Sequence, residues 1–192
     1  MSSESTDQWL GTKVLDKNYV MFWKKDDLNE KLTVRLEVKT RGWVGFGFSK
    51  HGFMIQSDVI IGWIRADGKT EFKDRWTDRK ERPVIDMSQD WHLISSMQNS
   101  SHTVLQFKRP YKTCDSLEDI EVLETEHQNI VWSYSHTVPI DDNNIPKHDV
   151  KGLTHIRLLD PIVNIEPTET DIEIYDFKFE NVILIYKLTL II

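Results

Sequence analysis

Residues 32–38 read LTVRLEV, and this strict alternation narrows what the chain can fold into more than any other feature. Successive side chains of an extended strand point to opposite faces. Leu32, Val34, Leu36 and Val38 therefore fall on one face, and Thr33, Arg35 and Glu37 on the other. A period of two recurs over residues 19–23, 43–48, 59–64, 70–72, 91–97, 103–107, 130–134 and 153–159. No segment longer than about ten residues keeps a helical period. Short strands separated by turn signals predict an all-β sandwich. Asp67-Gly68 stands between two such runs and fits a tight hairpin turn with positive φ. Residues 75–89, polar and interrupted by Pro83, read as a long surface loop, as do residues 137–151.

Residues 41–64, RGWVGFGFSKHGFMIQSDVIIGWI, carry glycines at 42, 45, 47 and 52. A phosphate-cradling loop needs a strand, closely spaced glycines and then a helix whose N-terminus faces the phosphates. Here the glycines are interleaved with Trp43, Phe46 and Phe48, and residues 58–64 are β-branched and apolar. The run reads as a glycine-dotted strand pair, in which glycine permits close backbone approach, and it does not predict a nucleotide.

A chain of 192 residues, 39% hydrophobic with seven Trp, can bury a core without a disulfide scaffold. The single cysteine, Cys114, cannot close an internal bridge, which leaves a reduced buried thiol or half of a disulfide to another chain or to a missing segment. Asp and Glu outnumber Lys and Arg by 31 to 24, and the basic residues are scattered, which argues against a nucleic-acid partner. The N-terminal MSSESTDQWLGTKVLDKNYV lacks the cationic start and apolar stretch of a signal peptide. VILIYKLTLII, residues 182–192, is broken by Lys187 and is about half the length a bilayer span needs, so no membrane span is expected.

Catalytic hardware is sparse. The seven histidines include no pair one, two or four residues apart, so the sequence offers no His-His, His-x-His or HExxH unit. No Gly-x-Ser-x-Gly elbow occurs, and Cys114 in KTCDS has no local protease signature. The acidic residues are more informative. Asp58 opens a strand, and Asp74, Asp78, Asp86 and Asp90 follow. Strand ends and an acidic loop can supply the oxygens calcium prefers, although no EF-hand pattern is present; the alternative is a set of solvated turn aspartates. Asn99-Ser100-Ser101 is a glycosylation sequon, meaningful only in a secretory context.

Taken in order, GWVGFGFS, SDVIIGWI, DGKTEFKDRWTD, SQDWHLISS, HTVLQFKRPYKTCD, IVWSYS and HDVKGLTHIRLLDP resemble the DOMON domain of the dopamine β-hydroxylase-like monooxygenases. The similarity is closest to the monooxygenase-X branch and covers roughly residues 12–162. It implies an immunoglobulin-like antiparallel β-sandwich over 12–162, a tail over 1–11, and a truncated connection into a first copper domain over 163–192. In the family, two copper domains perform ascorbate-dependent hydroxylation through His-His, His-x-His and Met ligands. Since those units are missing, the resemblance implies an accessory module that binds no copper and is not an enzyme by itself. Its implied partners are copper monooxygenase domains or a second subunit. The family is secretory, extracellular or membrane-associated.

The resemblance also implies ligands. In dopamine β-hydroxylase the sandwich carries a calcium-like site, and the matching positions here are Asp58, Val59, Arg75 and Asp90. Val59 and Arg75 would contribute backbone carbonyls, since neither side chain ligates a hard cation. The alternative is Asp58 hydrogen-bonded to nearby amides. Other DOMON domains are b-type cytochromes with Met and His axial ligands, and Met54 and His148 occupy comparable places, with Phe53 and Ile55 available to line a haem pocket. The alternative reads Met54 as an apolar plug and His148 as an exposed loop residue. Cys114 matches a family cysteine that bonds beyond the copper core, a partner this sequence does not contain.

Overall fold

Strands that are apolar on one face must bury that face against a second sheet, and the computed structural model, which describes residues 9–78, 82–123 and 126–159, shows this arrangement. The expected connector over 163–192 and its apolar end lie outside the described residues. The chain forms eleven strands among the described residues: β1 (Gly11–Asp16), β2 (Tyr19–Asp26), β3 (Lys31–Val38), β4 (Val44–Ser49), β5 (Ser57–Ile64), β6 (Thr70–Thr77), β7 (Val84–Ile85), β8 (His92–Gln98), β9 (Thr103–Pro110), β10 (Gln128–Tyr134) and β11 (Val150–Ile156). One sheet has the order β1-β2-β3-β9-β8 and the other β11-β10-β4-β5-β6-β7. Every pairing is antiparallel. The expected all-β sandwich is therefore the observed fold.

The alternation of β3 lands as read, with Leu32, Val34, Leu36 and Val38 fully buried. They join Tyr19, Met21 and Trp23 of β2 and Leu105 and Phe107 of β9, in one core with Val44, Phe46, Phe48, Ile60, Ile130 and Tyr134 of the other sheet. Trp91, just before β8, sits among Phe46, Phe48 and Phe107 at ring-centroid distances of 5.9, 5.6 and 5.2 Å. The Asp67-Gly68 turn is also as read: Gly68 has φ +81°, and its N–H donates to the Arg65 carbonyl at 2.9 Å.

Two loop expectations are corrected. Residues 75–77 are not loop but the end of β6, paired in full register with β5. Their polarity misleads because both faces of this strand carry buried ionisable groups: Asp74 faces the sandwich interior, and the buried Arg75 pairs with Asp142 on the other side. Residues 150–151, expected in the loop over 137–151, belong to the last strand, which begins at Val150 and ends at Ile156 rather than at 159, while Leu158 and Leu159 stay buried beyond it. Here the Leu158 carbonyl accepts a hydrogen bond from Trp23 Nε1 at 3.0 Å.

The outer face of the six-stranded sheet has its own small apolar cluster of Trp43, Ile61 and Trp63. Ile145 packs on it, and Trp43 Nε1 donates to the Pro146 carbonyl at 3.0 Å. The segment around residues 145–148 is thereby held above that face.

Candidate functional site

The alternation of β9 puts Leu105 and Phe107 in the core, and continued for one more step it puts Arg109 there as well, with 0% exposure. A buried guanidinium must be paired. Its Nη1 bonds Asp58 Oδ2 from the start of β5, and its plane lies over Trp91 at 5.0 Å and Phe48 at 5.7 Å. Asp58 is further held by Trp91 Nε1 and by the Ile120 N–H, each donating at 3.1 Å.

Two more carboxylates crowd this pair. Asp74, opposite Ile60 in the β5–β6 register, accepts through Oδ2 from the N–H groups of Asp90 and Trp91 at 3.1 and 3.3 Å. Asp119, 5% exposed, lies 3.8 Å from Arg109 Nη2. Asp74 Oδ1, both Asp119 oxygens and Arg109 Nη2 are buried without a partner in good hydrogen-bond geometry, although the Thr113 side chain lies close enough to Asp119 to favour its charged form. One oxygen from each of Asp58, Asp74 and Asp119 lies within 4.8 Å of the others. Three carboxylates thus face one guanidinium. Burial, reinforced by the charges of Asp58 and Asp119, pushes Asp74 up to about 8, and burial with Asp58 pushes Asp119 up to about 7. Orphaned oxygens of this kind fit a hard, oxygen-seeking cation.

The sign of the resulting pH dependence follows. With no cation bound, the folded chain keeps protons on Asp74 and Asp119 that the unfolded chain releases near the ordinary Asp value of about 3.9. The folded state then holds more protons between about pH 4 and 8, so stability falls as pH rises through that window. Thermal melts in EDTA from pH 5 to 8.5 should show this decline. It should flatten in Asp74→Asn Asp119→Asn, and a melting temperature that climbs with pH would contradict the assignment.

Of the four positions implied for calcium, Asp58 lies in this cluster. Asp90 touches it through its backbone, while its carboxylate accepts from Ser88 Oγ at 2.6 Å. Val59 and Arg75 are register partners on the opposite face of the β5–β6 pair from Asp58 and Asp74. The sequence reading missed Arg109 and Asp119. The signal for Arg109 was one further step of the β9 alternation; Asp119 sits in a loop with no periodic signal. A second acidic group, Asp86, Asp115 and Glu118, lies nearer the surface. There Asp86 and Asp115 cap the N–H groups of Ser88, Leu117 and Glu118 at 2.7–3.1 Å, as turn aspartates do.

Met54 and His148, chosen from separate loops, line one cavity of about 850 Å³ on the outer face of the six-stranded sheet. Phe53 lines it as expected, whereas Ile55 is not part of the wall. His148 is held below the usual imidazole range by partial burial and then by the Lys151 charge, which favours the neutral ring. Asn99 is exposed in the β8–β9 turn, where its Oδ1 accepts from the Ser101 and His102 N–H groups at 2.8 and 2.7 Å. Cys114 is exposed and unbridged, so the buried-thiol alternative is corrected: it stands in a surface loop between Lys112 and Asp115. No helix among the described residues is long and apolar enough to cross a membrane.

Comparison with known proteins identifies the family and the fold. The DOMON domain family matches residues 15–135. DBH-like monooxygenase protein 1 of Mus musculus is 38% identical over 149 residues, covering 74% of this chain and 22% of the mouse protein. MOXD1 homolog 2 of Drosophila melanogaster is 38% identical over 110 residues, covering 56% of this chain and 14% of that protein. The chain thus spans less than a quarter of the length of these curated relatives. The crystal structure of the cytochrome b domain of pyranose dehydrogenase from Coprinopsis cinerea superposes with a TM-score of 0.62 at 13% identity, over 76% of this chain and 79% of that one, a likeness of fold. The chain belongs to the DOMON domain family, and its curated relatives are DBH-like monooxygenases.

Proposed function

We propose that this chain is a non-catalytic DOMON module of a DBH-like monooxygenase system, stabilised by a calcium-like cation at its acidic end. The observation that carries the reading is the unbalanced buried cluster: Asp74 and Asp119 present orphaned oxygens beside an Asp58 that Arg109 already neutralises. Asp90, whose N–H is bonded to Asp74, would supply a further oxygen, and Val59 and Arg75, whose side chains point to the other face, could contribute only backbone carbonyls. The non-catalytic part is supported by the sequence, which holds none of the His-His or His-x-His units of the family's copper domains.

The test is thermal. Calcium at about 100 times its dissociation constant stabilises a folded state by about 2.7 kcal/mol, which for a domain of this size raises the melting temperature by several degrees. EDTA should reverse the rise, and Asp119→Asn should abolish it. If neither calcium nor EDTA moves the wild-type melt, the calcium reading is lost.

A second reading, a haem-binding electron-transfer module, is favoured by one observation: Met54 and His148 line the same apolar cavity. Reconstitution with haem should then give a Soret band that shifts or disappears in Met54→Ala and in His148→Ala. A spectrum indifferent to both substitutions excludes axial ligation by this pair.

A further inference from the structure

The cavity that holds Met54 and His148 exists because of a residue that has no side chain. Trp43 just before β4 and Gly45 and Gly47 within it alternate on the outer side of the sheet, and Gly45 forms part of the cavity floor between Trp43 and Ile61. A Cβ at Gly45 would meet Ser133 Oγ at 2.8 Å and the Trp43 ring at 3.1 Å, so any larger residue would fill the floor. The wall is mostly apolar, and among the described residues the charged side chains in it are all cationic: Arg82, Lys147 and Lys151, each exposed. No Asp or Glu among the described residues lines it. Arg82 shares its field with the nearby Asp141, which leaves Lys147 and Lys151 as the main positive charge at the mouth.

An apolar floor with cations at an open mouth is complementary to one kind of molecule. We propose that this cavity binds a small amphiphile, an aliphatic or aromatic body with a carboxylate headgroup, the body lying on the Gly45–Trp43 floor and the carboxylate at Lys147 and Lys151. The inference uses the same cavity as the haem reading but does not rest on axial ligation by Met54 or His148.

A dansyl-tagged fatty acid and its methyl ester, titrated into the haem-free protein, separate the possibilities. Dansyl emission and quenching of Trp emission report occupancy, since Trp43 lines the cavity. The acid should bind saturably at one site, about tenfold or more tighter than the ester. Lys147→Glu Lys151→Glu, at exposed positions where folding is retained, should erase that preference and leave ester binding unchanged. Binding of the acid should persist in Met54→Ala His148→Ala, which distinguishes it from haem ligation. Equal affinity for acid and ester, indifference to the double charge reversal, or no saturable binding would each overturn the proposal. A haem spectrum dependent on Met54 and His148, without acid binding, would retain the haem reading and remove this one.

Discussion

Arg109→Met should lower the unfolding free energy by about 3–5 kcal/mol, the range for removing one partner of a buried ion pair. Methionine nearly conserves the volume, so the loss isolates charge from packing. Without the guanidinium, Asp58 keeps, among the described residues, the Trp91 and Ile120 donors, and Asp74 and Asp119 lose the Arg109 charge that offsets theirs. The contact of the guanidinium with the Trp91 and Phe48 rings also disappears. Urea melts in EDTA measure the effect. Asp58→Asn in the Arg109→Met background should recover part of it, because the neutral amide no longer needs a counter-charge, and the coupling between the two changes should exceed about 1 kcal/mol. A single-variant loss below that value would mean that Arg109 is not the cluster's counter-ion.

That Arg109 went unread while Asp58 was picked out shows where the sequence is legible. Alternation gives the faces of a strand wherever apolar residues mark them, so the core of β2, β3, β4 and β10 could be read directly. It fails where a charge stands at an inward position, because the run appears to stop there. β9 appeared to end at Phe107 and β6 at Phe72 for that reason, although the ladders continue through Arg109 and Asp74. Those interruptions are the residues of the candidate site. Asp119 could not be read, because its loop is positioned by tertiary hydrogen bonds such as Ile120 N–H to Asp58 and Val122 N–H to the Tyr111 carbonyl. The family resemblance supplied what periodicity could not, pairing Met54 with His148 across the chain. It did not supply the cationic mouth of their cavity, which depends on how the loops fold over the sheet.

Gly47→Ala should be the most damaging of the conservative glycine substitutions in β4, with a loss of about 2–3 kcal/mol from overpacking. Its Cβ would stand 2.1 Å from the Asp58 carbonyl oxygen and 2.6 Å from Val59 Cα, both backbone atoms of the neighbouring strand. β4 and β5 are interior strands of the six-stranded sheet, so neither can retreat without disturbing β10 or β6. Gly45→Ala should be milder, because its closest obstacle is the Ser133 hydroxyl, a side-chain atom able to rotate away. The order matters more than either value. If Gly47 were only a flexible spacer, the two substitutions would cost about the same, and urea midpoints for both would coincide. If it is the point where two backbones touch, Gly47→Ala must push β5 outward and carry Asp58 with it, away from Arg109 on the facing sheet. The same variant should then also weaken the response of the melting temperature to calcium, which Gly45→Ala should leave intact.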